Sequence, residues 1–162
     1  MILEKIRARA AADVQHIVLP EGEDARTALA AEMCVRDKIA KITVLGDEEK
    51  IREAARAAGA NLNGVEIIDH RRAPDFGKMA MLYHELRKAK GATLEESEQI
   101  VKDPLFYGNL LVKLGKADGS VAGATNTTAH TVRAALHCIG VRAGFKTVSS
   151  FFVMVVPDKK FG

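Results

Sequence analysis

Hydroxyl, amide and guanidinium groups are concentrated in one short stretch of the sequence, GATNTTAHTVRAAL at residues 123–136. A short apolar run precedes this stretch and a helical pattern follows, which predicts a turn from a strand into a helix. Thr127 or Thr128 is expected to cap that helix. Backbone N–H groups at a helix N-terminus bind anions, and the planar guanidinium of Arg133 suits two phosphate oxygens at once. The stretch is therefore predicted to bind an anion.

A second candidate for anion binding is Arg26, at the end of LPEGEDAR (19–26). Asp24 can cap the predicted helix there, which places Arg26 in the first helical turn. The positive end of the helix dipole makes an arginine mildly unfavourable at that position unless it faces an anion. The alternative is a solvated arginine that pairs with Glu23.

Two other groups carry weaker signals. Arg87 lies near the predicted C-terminus of a helix, where the dipole favours a cation, so the residues alone indicate only a helix end. His130 and Asp24 could form an acid–base pair, but nothing in the sequence brings them together. The sequence also lacks a P-loop, a dinucleotide-binding glycine motif and a nucleophile elbow.

Strand-like and helix-like patterns alternate along the chain. The predicted strands are 16–20, 41–46, 65–69, 118–124 and 146–158. The predicted helices are 24–38, 48–59, 74–91, 93–103, 104–117 and 127–140. This alternation predicts the α/β class, with a mostly parallel sheet between two layers of helices and ligands at the carboxyl ends of the strands.

Local signals refine several helix ends. Asp47 and Gly59 are predicted to cap one helix, and Thr93 with Glu96 forms a capping-box pattern at the start of another. The helix over 24–38 has apolar residues in helical spacing, and the face with Leu29, Met33 and Cys34 is expected to be buried.

Composition excludes several classes of partner. The net charge is only +3 with mixed signs, and tryptophan is absent, so nucleic acid and membrane surfaces are not expected partners. No signal peptide or membrane span is recognisable, no metal-binding spacing is present, and no tightly bound cofactor is expected. Cys34 and Cys138 are interpreted as buried, reduced thiols of a cytoplasmic protein.

The chain resembles the N-terminal half of the phosphate acetyl/butyryltransferase family. The stretches that carry the resemblance, in the family's order, are IVLPEGEDARTALAA (17–31), YHELRKAKGATLEES (83–97), residues 107–136 and KTVSSFFVMVVPDKKFG (146–162). The resemblance implies an acyltransferase that moves an acetyl group between coenzyme A and phosphate, so that acetyl-CoA and phosphate give acetyl phosphate and coenzyme A. Coenzyme A is then a substrate, and no metal is implied.

The resemblance also raises Arg87 from a helix end to a candidate ligand. The residues implied to contact phosphate or substrate are Arg26, Arg87, Arg133, Asn126, Thr127, Thr128, Ser149 and Ser150. No residue of this chain can be assigned as the base that deprotonates the thiol, because the family's serine, arginine and aspartate group lies beyond residue 162. We therefore expect the 162-residue chain alone to be nearly inactive.

The chain departs from the family pattern at three positions. Asn126 stands where histidine is usual, His130 where aspartate is usual and Ala134 where proline is usual. The last difference leans toward the butyryltransferases, so phosphate butyryltransferase is one alternative. A non-catalytic α/β module that binds acyl phosphate or coenzyme A is another.

The resemblance further implies a two-domain enzyme. Residues 1–145 are then the N-terminal α/β domain, and residues 146–162 are the first strand leading into a second domain that is absent from this chain. A homodimer is expected in the full-length context.

Overall fold

The computed structural model describes residues 2–156, and its centre is one parallel sheet. The strands are β1 (Gln15–Leu19), β2 (Ala40–Leu45), β3 (Glu66–Ile68) and β4 (Gly119–Ser120). The helices are α1 (Ile2–Ala12), α2 (Ala25–Arg36), α3 (Glu48–Ala58), α4 (Phe76–Arg87), α5 (Leu94–Val101), α6 (Pro104–Lys113) and α7 (Thr128–Cys138). The four strands lie in the order β3-β2-β1-β4, and each paired neighbour is parallel. The predicted α/β class is confirmed.

Both faces of the sheet are covered, because apolar residues on the strands alternate between two clusters. Leu19 and Val44 pack with Ala31 of α2 and Ile51 of α3 on one face. On the other face, Val18 and Leu45 belong to a larger cluster built mainly by α4, α6 and α7. Helices therefore form a layer on each side, as the alternating sequence pattern predicts.

Several predicted helix ends are confirmed. Asp47 accepts hydrogen bonds from the backbone of Glu49 and Lys50, and Gly59 ends α3 in the left-handed region at φ 68°. The capping box of Thr93 and Glu96 is present at the start of α5. These signals are local in sequence, and the structure satisfies each of them locally.

Three predictions about the elements were wrong. Residues 146–156 contain no strand, and the rest of the predicted strand lies outside the described residues. The buried residues of α2 are Thr27, Ala28 and Ala31, whereas Leu29 and Met33 are both 40% exposed. Small side chains let α2 pack closely on the sheet, so its buried face is not its most apolar one. Cys138 is buried as expected, but Cys34 is only partly buried.

The helix α1 was not predicted from the sequence. It spans Ile2–Ala12, none of its residues is buried, and Ile2, Leu3 and Ile6 are about half exposed. The weak apolar pattern of this segment explains why the periodicity did not indicate a helix.

The strand order creates a crevice between β1 and β4. The chain passes from β1 outward to β2 and β3, and then crosses to the opposite side of β1 to form β4. The helix that follows β1, α2, packs on one face of the sheet, and the helix that follows β4, α7, packs on the other. A crevice of this kind, at the carboxyl ends of parallel strands, is where such sheets bind ligands.

Candidate functional site

The crevice between β1 and β4 is occupied by a side chain of the protein itself. Glu21 follows β1, and its side chain reaches the turn 123–126, which follows β4. Its Oε2 accepts hydrogen bonds from the backbone N–H groups of Gly123 and Ala124, both at 2.7 Å. Its Oε1 accepts from the backbone N–H groups of Thr125 and Asn126, both at 2.8 Å. The anion that this turn binds in the structure is therefore the Glu21 carboxylate.

Side chains of the same turn complete the binding of Glu21. The Thr125 hydroxyl donates to Oε1 at 3.0 Å and the Asn126 side-chain amide at 2.9 Å. Only 7% of Glu21 is exposed, and burial by itself would raise its pKa. The hydrogen bonds from Thr125, Asn126 and Ala124 outweigh burial and lower the pKa of Glu21 from 4.5 to about 2. The carboxylate is thus held ionised, although no cation is paired with it among residues 2–156.

Gly22 allows the connection after β1 to reach this position. A Cβ at residue 22 would lie 2.7 Å from the backbone carbonyl oxygen of Leu45, which also accepts a 3.1 Å hydrogen bond from the Gly22 N–H. Backbone atoms cannot move aside easily at that distance. A side chain at this position would therefore displace Glu21 relative to the turn that binds it.

Arg26 contacts the same turn, but at Ala124. Its Nη2 donates to the carbonyl oxygen of Ala124 at 2.6 Å, and its Nε and Nη2 donate to Asp24 at 2.9 and 2.8 Å. The hydrogen bond with Arg26 lowers the pKa of Asp24 to about 2. The guanidinium is thus paired with Asp24, not with Glu23, while its side chain remains 69% exposed.

The threonines of the turn divide into distinct roles. Thr127 is the N-cap of α7, and its side chain accepts a hydrogen bond from the backbone of His130 at 3.3 Å. Thr128 is the first residue of the helix, and its side chain is exposed. The expectation that one of these two threonines caps the helix is confirmed. Asn126 is bonded to Glu21 as described above.

Arg87 and Arg133 both lie close enough to His137 for their charges to act on its imidazole. Arg87 is the last residue of α4 and lies beside the Tyr83 hydroxyl, while Arg133 is exposed on α7 one turn before His137. The Tyr83 hydroxyl and Nδ1 of His137 share a 2.8 Å hydrogen bond. Burial, with smaller contributions from the charges of Arg87 and Arg133, lowers the pKa of His137. A neutral imidazole thus lies near two guanidinium groups.

The remaining predicted site residues lie elsewhere. Ser149 and Ser150 are exposed in the irregular segment that follows α7, and no hydrogen bond of their side chains is found within residues 2–156. His130 does not meet Asp24. Its Nε2 lies 2.6 Å from Oδ2 of Asp103, the N-cap of α6.

Two features are absent from the described part of the chain. Among residues 2–156, no group of His, Cys, Asp and Glu side chains is arranged to hold a metal ion. In the same residues, no helix is long and apolar enough to span a membrane.

Sequence reasoning missed three residues of this region: Glu21, Tyr83 and His137. Glu21 is far from its partners in sequence, and its only local signal was an acidic residue at a strand end. Tyr83 and His137 lie within the predicted helices, and their hydrogen bond depends on how α4 packs against α7. An acidic residue directly after an apolar strand, as in VLPEG, is the signal that could have indicated Glu21.

Comparison with known proteins relates the whole chain to one family. Residues 1–162 match the phosphate acetyl/butaryl transferase family. Phosphate acetyltransferase of Acetivibrio thermocellus is 46% identical over 160 residues, which are 99% of this chain and 48% of that protein. Phosphate acetyltransferase of Corynebacterium glutamicum is 41% identical over 148 residues, which are 91% of this chain and 45% of that protein.

Solved structures show the same relation. A phosphotransacetylase from Streptococcus pyogenes matches with a TM-score of 0.84 at 34% identity, covering 90% of this chain and 44% of that one. The EutD phosphotransacetylase from Staphylococcus aureus matches with a TM-score of 0.81 at 31% identity, with the same coverage. The chain spans about half the length of the two phosphate acetyltransferases named above. With the ordered motifs and the fold in agreement, the chain belongs to the phosphate acetyl/butaryl transferase family.

Proposed function

We propose that this chain contributes to transfer of an acetyl group between coenzyme A and phosphate, with acetyl-CoA, phosphate and acetyl phosphate as the small-molecule substrates. The observation that carries the proposal is that Arg87 and Arg133, on two different helices, both act through their charges on His137. A guanidinium group offers several N–H donors to a phosphate. The named relatives are phosphate acetyltransferases, which favours acetyl over butyryl transfer.

In this proposal, Arg87 and Arg133 bind the phosphate group and stabilise the charge that develops on it when the thiolate attacks the acyl carbon. Thr128, exposed at the start of α7, lies five residues before Arg133 and supplies a hydroxyl donor at the N-terminus of the same helix. The other residues that the resemblance implies as contacts of phosphate or substrate are Arg26, Asn126, Thr127, Ser149 and Ser150.

Glu21 changes the role of the turn within that set. The N–H groups of Gly123 to Asn126 already donate to its carboxylate, so they are not available to phosphate while Glu21 holds them. We therefore assign the phosphate to the arginines and to the helix end at Thr128, and we assign Asn126 to the support of the turn.

The cellular context is also a proposal. A cytoplasmic location suits a chain with free cysteines and without a membrane-spanning helix in residues 2–156. A homodimer is proposed for the full-length context only.

The test is binding of phosphate and acetyl phosphate to the chain, measured by calorimetric titration beside thermal melts. Arg133→Ala should weaken binding about tenfold or more, since a charge-assisted hydrogen bond is worth about 1.5–3 kcal/mol. Stability should change by about 0.5 kcal/mol or less, because Arg133 is exposed. Arg133→Lys should recover only part of the affinity, because an ammonium group lacks the planar fork.

The matched control is Arg52→Ala. Arg52 is exposed on α3, far from α7 in the fold, and pairs only with Glu48 in the described residues. Arg52→Ala removes one positive charge, as Arg133→Ala does, but at a distance from the proposed site. It should therefore leave phosphate binding unchanged. Equal losses from both variants would mean that net charge, and not a site, determines binding. An early melt of Arg133→Ala with intact affinity would make Arg133 a structural residue.

A further inference from the structure

A cleft of about 350 Å³ opens at the carboxyl ends of β1, β2 and β3. Its lining includes Glu21 to Asp24 after β1, Gly46 after β2, His70 and Arg71 after β3, and Pro104 at the start of α6. It includes Asn126 of the proposed phosphate set but none of its three arginines. The volume lies within the range of small-molecule sites, about 300–1,000 Å³.

His70 is the unusual group in this cleft. Only 2% of the residue is exposed, yet its Nδ1 has no hydrogen-bond partner within residues 2–156. Its Nε2 lies 2.8 Å from the carbonyl oxygen of Lys102. A carbonyl can only accept, so Nε2 carries the hydrogen. Burial lowers the pKa of His70, so the imidazole is neutral near pH 7 and Nδ1 presents a lone pair.

A buried polar atom without a partner is rare in folded proteins, because leaving it unbonded costs about 1–3 kcal/mol. His70 lines the cleft but its Nδ1 lies just below the accessible surface, so a ligand satisfies this lone pair by entering beside the imidazole and donating a hydrogen bond to it. The group that His70 requires is therefore a hydroxyl or an N–H group.

Arg71 also lines the cleft, and its side chain has no carboxylate partner within residues 2–156. Its Nε donates to the carbonyl of Lys102 at 3.4 Å, and no carboxylate lies within ion-pair distance of it in the described part of the chain. The acidic groups across the cleft are already engaged. Asp24 is paired with Arg26, and Glu23 accepts from the Asp47 N–H and lies 3.6 Å from Lys50.

The Glu21 carboxylate is engaged as well, because it accepts hydrogen bonds from the turn after β4. Among the described residues, the cleft thus presents one lone pair without a donor and one exposed guanidinium without a carboxylate partner, on adjacent residues. We propose that the cleft binds a small hydroxylated anion, whose hydroxyl donates to Nδ1 of His70 and whose anionic group accepts hydrogen bonds from Arg71.

The test compares probes that differ only in their hydroxyl groups. Glycerol 3-phosphate is paired with propyl phosphate, and lactate with propionate, so that a phosphate ester and a carboxylate are both tried. Binding to the chain is followed by the nitrogen chemical shift of Nδ1 of His70. The hydroxylated member of at least one pair should bind about two- to tenfold more tightly, as expected for one neutral hydrogen bond.

His70→Gln isolates the contribution of Nδ1. The glutamine amide nitrogen can take the place of Nε2 and donate to Lys102, while the acceptor at Nδ1 is removed, so the variant should melt close to the unaltered chain. It should bind both members of a pair equally. Arg71→Gln should weaken both members while preserving the preference for the hydroxyl.

Three results would overturn the proposal. One is the absence of any saturable shift of Nδ1 with all four probes, which would mean that only water occupies the cleft. Another is equal affinity for both members of each pair. The third is a hydroxyl preference that persists in His70→Gln. Because these readouts concern His70 and Arg71, failure here leaves the proposed role of Arg133 untouched.

Discussion

Replacing Glu21 by glutamine tests whether this internal carboxylate holds the crevice between β1 and β4 together. An amide keeps one acceptor oxygen and places an NH₂ group where the second oxygen stood. Even in the better orientation, the N–H groups of Gly123 and Ala124 would then face a donor instead of Oε2. If both donors were fully buried, their loss of an acceptor would cost about 2–6 kcal/mol, and because these hydrogen bonds are only partly buried the lower part of that range applies.

The pKa of Glu21 gives an independent magnitude. A fall from 4.5 to about 2 corresponds to about 3 kcal/mol of stabilisation of the folded state by the ionised group. The two values overlap, so Glu21→Gln should lower the free energy of unfolding by about 3 kcal/mol. Urea denaturation at pH 7 measures this quantity.

The pH dependence should follow from the same shift. Because the folded-state pKa is depressed, the contribution of Glu21 is fully present above pH 4.5 and is lost as the pH falls toward about 2. The unaltered chain should therefore lose more stability across that window than Glu21→Gln does. At any given pH, the amides of Gly123 and Ala124 should be less protected from hydrogen exchange in the variant than in the unaltered chain.

Glu23→Gln is the matched control, since Glu23 is exposed and bonded only to the Asp47 N–H and Lys50 in the described structure. It should cost no more than about 0.5 kcal/mol. The reasoning is refuted if Glu21→Gln is as mild as this control, or if the unaltered chain and Glu21→Gln lose stability in parallel between pH 4.5 and 2.

Three further predictions concern packing and capping. Gly22→Ala should destabilise the fold by about 1–3 kcal/mol in urea denaturation, because its Cβ would meet backbone, whereas Gly77→Ala in α4, where the space is open, should be neutral or stabilising. Cys34 should react with a thiol reagent faster than Cys138, whose pKa burial raises to about 12; equal rates would contradict the structure. Thr93→Ala should cost about 1 kcal/mol through loss of the capping box, and an unchanged thermal melt would refute that role.

Features that depend on neighbouring residues in sequence were predictable. Asp47 and Gly59 cap α3 because capping involves atoms within a few residues of the helix end. The parallel sheet followed from the alternation of strands and helices. The strand predicted for residues 146–156 was wrong. Their apolar and β-branched side chains favour a strand, but no neighbouring strand is present to pair with them in the described structure.

The turn at residues 123–126 was predicted to bind phosphate or an acyl phosphate, and that remains a prediction. In the structure its N–H groups donate to Glu21 of the same chain, which the sequence could not show. That contact joins positions about a hundred residues apart and depends on the order of the strands. Contacts of this kind require the fold to be known. The roles of Arg26, Arg87 and Arg133 toward phosphate remain predictions.

The Glu21 contact makes the turn a receptor whose natural occupant can be exchanged. Four backbone N–H groups converge on a space the size of one carboxylate. In a Glu21→Gly chain those donors persist while the covalent tether to their guest is gone, so a free carboxylate such as formate should restore the lost melting temperature in a saturable way. Carboxylates of increasing size can then be compared by the melting temperature that each restores. This comparison would measure how closely the four N–H groups fit a single carboxylate.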